Sequence, residues 1–160
     1  MSVAAARAAI AARLISVTDI GVVHAYERYA SDLARLKQLY FSISHNQVRG
    51  WYVRRVQTSE TGNILSNTVE HIRWRIVGLM ALDDANASEL VFDSLIEGVR
   101  NAFAADETLG GTVDQCAVPD PSGNSESCIQ LDDAGPVMFG GVLCHAARLS
   151  LNTIRYLERS

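Results

Sequence analysis

Along residues 68–106 the apolar positions change their period. Ile72, Trp74 and Ile76 alternate with His71, Arg73 and Arg75, the two-residue repeat of a half-buried strand. From Val77 to Leu82 the run is apolar on both sides, as in a strand that enters the middle of a packed sheet. Asp83, Asp84 and Asn86 break it. Asn86, followed by Glu89, fits a helix start in which the Asn oxygen accepts a first-turn amide and Glu89 reaches back. Val91, Phe92, Leu95, Ile96, Val99 and Phe103 then recur at helical spacing, with Asp93, Glu97 and Arg100 on the other side. Gly110-Gly111 closes this strand–helix unit.

The flanking segments read in the same way. Val3, Ala6, Ile10, Leu14 and Val17 form a narrow stripe that predicts a first helix over 2–16, with Ala-rich flanks that allow close approach. A turn at Thr18-Asp19-Ile20-Gly21 leads to a short extended edge segment, Val22 to Tyr26. Ser31-Asp32 starts a second helix whose apolar side is Leu33, Leu36, Leu39 and Tyr40. Val48, Trp51, Tyr52, Val53 and Val56 mark a strand over 47–59, and Glu60-Thr61-Gly62-Asn63 is a turn. Residues 47–81 therefore predict a long antiparallel hairpin with an apolar base and a polar tip. A hairpin that outruns its own core must find something to pair with or pack on.

Beyond the long helix, Thr112 to Gln115 is a possible strand. Residues 117–126, with two prolines and a glycine, predict a mobile loop. Strands are expected over 127–132 and 137–139, the chain restarting at Gly135-Pro136. Residues 142–157 fit both a strand and a helix, and the short turns before them favour a strand. The expected fold is a single α+β domain over 1–160: a mixed, mainly antiparallel sheet with a long β-hairpin, packed against two or three helices.

Composition narrows the function. A formal charge of −4 argues against bulk binding to nucleic acid or anionic membranes. No apolar run approaches the roughly 20 residues of a membrane span, and the Ala-rich N-terminus lacks the continuous apolar centre of a secretory signal. Cys116, Cys128 and Cys144, odd in number, fit a reducing compartment. Cys116 and Cys128 flank one loop, but an obligatory disulfide is not expected. A zinc site from the three thiols and His145 is disfavoured because no C-x-x-C pair is present.

Candidate chemistry is sparse. There is no phosphate-binding glycine loop and no G-x-S-x-G elbow. Asp83-Asp84 and Asp132-Asp133 suit solvated turns better than metal or acid–base work. The four histidines, His24, His45, His71 and His145, include no pair at helical metal-ligand spacing. No catalytic, metal or cofactor site is expected. The one suggestive cluster is Arg49, Arg54, Arg55, Arg73 and Arg75, interleaved with Trp51, Tyr52 and Trp74 on the two hairpin strands. Arginine stems lying over the sheet and a protein–protein interface explain it equally well, and single-stranded nucleic-acid binding ranks third. The candidate interface is Arg49, Trp51, Arg54, Arg55, Glu70, His71, Arg73 and Arg75.

The order helix, hairpin, long helix and further strands resembles the tail terminator (tail completion) proteins of long-tailed bacteriophages. The resemblance is carried by Val23-His24-Ala25-Tyr26-Glu27-Arg28-Tyr29, by Gly50-Trp51-Tyr52-Val53-Arg54, and by Ile72-Arg73-Trp74-Arg75-Ile76 leading through acidic turn residues into the helix. It spans most of the chain as pattern and size rather than as one tight motif. It implies a structural virion protein, not an enzyme. Such a protein assembles in the host cytoplasm as a cyclic homo-oligomer, a hexamer in the family. The ring caps the tail tube, ends tail polymerisation and meets the head–tail connector, and DNA only passes through it. A head-closure or neck protein of the same assembly is the near alternative. A small metal-binding or nucleic-acid-binding protein is the alternative from another class.

Overall fold

The computed structural model describes residues 2–62, 67–116, 118–119, 125–126 and 128–158, with backbone only at 118–119 and 125–126. The chain folds as an α+β protein. Its elements are α1 (Val3–Ile15), β1 (Val22–His24), α2 (Leu33–Leu39), β2 (Phe41–Ser42), β3 (Gln47–Gly62), β4 (Asn67–Ala81), α3 (Ser88–Ala104), β5 (Val118–Pro119), β6 (Ser125–Glu126), β7 (Ile129–Phe139) and β8 (Val142–Glu158). The main sheet has the order β1-β3-β4-β8-β7, and β2 joins the same outer side of β3 as β1. All its pairings are antiparallel except β1 with β3.

The alternation of β4 decides which residues go inside. Ile72, Trp74 and Ile76 face α1 and α3, joined by Trp51 and Val53 of β3 and by Ala147, Leu149 and Leu151 of β8. α1 contributes Ala6, Ile10 and Leu14, and α3 contributes Phe92, Leu95, Ile96, Val99 and Phe103. Gly78 in the apolar run is required by packing: a Cβ there would strike the Trp51 ring on the neighbouring strand. The opposite face is covered near the hairpin base. There Leu36, Leu39 and Tyr40 lie over Val48, Val77, Leu79 and Cys144. Leu33, expected on this apolar side, is instead exposed.

Several expectations are corrected. Asn86 does not cap α3. It lies in a short 3-10 turn (Asp84–Asn86), and Ala87 precedes the helix in a left-handed conformation with φ 52°. Asn86 instead donates to the Asp83 carboxylate at 2.6 Å. Ser88 Oγ ties the junction together, accepting from Asp83 N at 2.8 Å and bonding His145 Nε2 at 2.7 Å. β7 runs unbroken through Gly135 and Pro136. It is an edge strand, where a residue without N–H costs no interior ladder bond. Residues 142–158 are one long strand. Thr112 to Gln115 is a turn with a single bridge, Gln115 to Ile154. Within the loop expected at 117–126, β5 and β6 pair as a small hairpin, and its other residues, like the turn residue Asn63, lie outside the described ones.

The segment after α3 is held by Asp106. Its carboxylate accepts from Gly110 N, Thr108 N and Thr108 Oγ1, each at 2.8–2.9 Å, and from Arg13 Nη2 of α1 at 2.9 Å. These donors, Gly110 foremost, hold its carboxyl at about 2, below the ordinary 3.8. Because the folded value is the lower one, the clasp stabilises fully above about pH 4 and is lost as pH falls towards about 2. Asp106→Asn should therefore lower the urea midpoint near neutrality, and its gap from wild type should close on acidification. A gap unchanged across that acid range would rule out the carboxylate as its origin.

Candidate assembly surface

The sheet leaves two sides open. β1 and β2 cover β3 only at residues 47–52, so its outer edge from Val53 to Gly62 has no strand partner among the described residues. Residues 54–62 are exposed throughout. A register shift between Arg55 and Gln57 leaves Val56 unpaired within this exposed half of β3. At the other end of the sheet, β7 is an outer strand with residues 131–138 exposed.

The residues expected to form an interface divide between inside and outside. Trp51 has no exposed surface and stacks on Phe92 with ring centroids 6.0 Å apart, so it belongs to the core. Arg49 is buried as well. Its Nη1 donates to Asp19 O at 3.1 Å, and burial pushes its pKa down against the pull of Asp19. Glu70 is also interior, paired with Arg155 of β8, with Oε1 2.6 Å from Nη2. These three hold the fold together and cannot form part of an outer surface.

The other five reach the surface. Arg54, His71, Arg73 and Arg75 alternate with core residues and so lie on the sheet face away from α1 and α3. Arg55, opposite Trp74, lies on the helix side. Arg54 and Arg75 are direct cross-strand neighbours, and Arg148 of β8 lies opposite Val77 on the same face. Like charges placed this way repel. Arg54 is relieved by Glu27 at 3.1 Å, and Arg148 has Asp133 at 4.0 Å. Neither Arg73 nor Arg75 has a carboxylate within 4.0 Å among the described residues. Tyr26 and Tyr29, beside β1, are exposed, with the Arg28 guanidinium 5.5 Å from the Tyr26 ring centre. Arginine beside exposed tyrosine is a composition enriched at protein interfaces.

The opposite side of the molecule is acidic. Glu89, Asp93 and Glu97 recur every fourth residue along the exposed side of α3. Glu89 and Asp93 border a groove of about 200 Å³ between α3 and β7, lined also by Phe92, Pro136 and His145. In the sequence Asp93 and Glu97 fall on the polar side of the helix but Glu89 reads as part of its cap, so the stripe of three emerges only once α3 starts at Ser88.

The remaining candidate chemistry stays structural. Cys116 and Cys128 are buried free thiols in the main core, and Cys144 is buried on the other face. Contact with Cys128, then burial, pushes the Cys116 thiol far up. Both thiols are buried in the core and pack as small apolar residues. Among the described residues no group of three or more His, Cys, Asp or Glu side chains is arranged to hold a metal ion. None of the described helices is long and apolar enough to cross a membrane. A comparison with protein-family models matches none of them, and a comparison with curated proteins finds no significant match.

Proposed function

We propose that this chain is a structural virion protein, a phage tail terminator. In this reading copies of it close into a ring, a hexamer, that caps the tail tube, ends tail polymerisation and joins the tail to the head–tail connector, with DNA only passing through. The observation that carries it is the outer half of β3, whose residues 54–62 are exposed and whose outer edge from Val53 to Gly62 has no strand partner among the described residues. An exposed strand edge of this length is a template for another chain. The open β7 side supplies a second contact at the far end of the sheet, as a ring of head-to-tail copies requires. The described surface adds an arginine face and an open hollow between α3 and β7, features that suit contact with another chain.

The test is assembly. Light scattering after size exclusion, with negative-stain images, should give closed rings of the free chain or rings seated on purified tail tubes. Deleting the gene should yield headless tails of abnormal length. Normal tails beside heads that leak DNA would assign the protein to the neck instead. A chain that stays monomeric, ignores tail tubes and leaves tail length unchanged would end the reading.

A further inference from the structure

We infer that the arginine face of the hairpin docks on the acidic α3–β7 side of a second copy of this chain, Arg73 and Arg75 meeting Glu89 and Asp93. The inference rests on the ring proposed above and names its contact surfaces.

Three observations carry it. The first is charge. Arg54 and Arg148 on this face are engaged by Glu27 and Asp133, but Arg73 and Arg75 have no carboxylate partner among the described residues, so theirs is the charge left for a partner to meet. Glu89 and Asp93 are likewise exposed and make no salt bridge among the described residues, whereas Glu97 is engaged by Arg100 at 2.8 Å. The second is spacing. Two positions along a strand place Arg73 and Arg75 about 6.6 Å apart on one face. Four positions along a helix place Glu89 and Asp93 about 6 Å apart. Two parallel guanidinium–carboxylate contacts can therefore form together, with arginine stems resting on the Phe92 and Pro136 lining of the groove.

The third is placement. The arginines lie on the face away from α1 and α3, on the β3–β4 side. The carboxylates lie on α3 beside β7, across the sheet. They cannot meet within one chain. In a head-to-tail arrangement each copy offers arginines to one neighbour and carboxylates to the other, the heterologous contact that builds a ring. The chain's net charge of −4 leaves the arginine face a local exception, suited to an acidic partner surface.

Charge exchange tests this. Arg73→Glu/Arg75→Glu and Glu89→Arg/Asp93→Arg should each fold, by circular dichroism. Each alone should assemble about 100-fold more weakly than wild type or worse. Mixed one to one, the two variants should recover rings of alternating subunits, because each reversed surface now fits the other. A chain carrying all four changes should assemble alone. Should either substitution impair folding, Arg73→Gln/Arg75→Gln takes its place, with weaker assembly and reduced salt sensitivity expected in sedimentation velocity. Variants that assemble like wild type, or a mixture that stays monomeric, overturn this interface and leave the ring reading standing. A wild-type chain that never self-associates, even at high concentration or on tail tubes, overturns both. Oligonucleotide binding that depends on Arg73 and Arg75 while assembly does not would reassign the face to nucleic acid.

Discussion

Trp74→Ala should cost about 3–5 kcal/mol of stability, the range for removing a large aromatic side chain from a packed core. Trp74 sits at the centre of β4 with no exposed surface, between β3 and β8 and beneath the helices. Its indole Nε1 donates to Thr153 Oγ1 at 3.0 Å in a buried hydrogen bond, and the Arg7 guanidinium of α1 lies 5.3 Å from the ring centre. The loss thus combines a cavity, an orphaned hydroxyl and a lost cation–π contact. Thr153→Val should isolate the hydrogen bond at about 1–3 kcal/mol, because it leaves the indole N–H buried without an acceptor. Trp51 is the internal contrast, since its Nε1 has no partner among the described residues. Trp51→Phe should accordingly cost less than Trp74→Phe. Denaturant unfolding of the four variants decides it, and equal losses for the two Trp→Phe changes would refute the role given to the Thr153 bond.

Glu70→Ala carries the second large effect, about 3–5 kcal/mol, the cost of breaking a buried ion pair from one side. Glu70 Oε1 accepts from both Nε and Nη2 of Arg155, at 2.7 and 2.6 Å, and the two side chains are only 8% and 9% exposed. Without the carboxylate, Arg155 keeps a buried charge that has lost this bidentate contact. Replacing both partners with apolar residues, Glu70→Leu with Arg155→Met, should recover most of the loss, because the desolvation cost disappears with the charges. Urea midpoints of the single and double variants separate the cases. A Glu70→Ala protein as stable as wild type would place this pair in solvent.

Those two residues also show where sequence reasoning stopped. Trp74 was legible as core because the alternation around it is regular and needs only neighbouring residues. Glu70 continues the same alternation on the inward side, yet a glutamate at the outer end of an amphipathic strand reads as surface. Its burial depends on two distant segments. β8 brings Arg155 opposite it, and the chain after α3 returns across that end of the sheet. There Asp114 N and Gln115 N donate to Ile154 O, and the Asp114 carboxylate accepts from Tyr156 N. Arg49 was misread for a similar reason: its partner is the backbone oxygen of Asp19, thirty positions earlier. The left-handed Ala87 was hidden because Asn86 and Glu89 had the right types at the right spacing for a cap, while the junction is fixed by Ser88 and His145.

The sequence by itself determined the α+β class, the helices α1 and α3, the long β3–β4 hairpin and the inward set Ile72, Trp74 and Ile76, because periodicity is a local property that burial enforces residue by residue. Tertiary structure alone decided that β1 runs parallel to β3, that β7 passes through Pro136 at an edge, and which arginines are left without carboxylates. Those outcomes depend on which strands become neighbours, and strand pairing brings together residues that no short window of sequence contains.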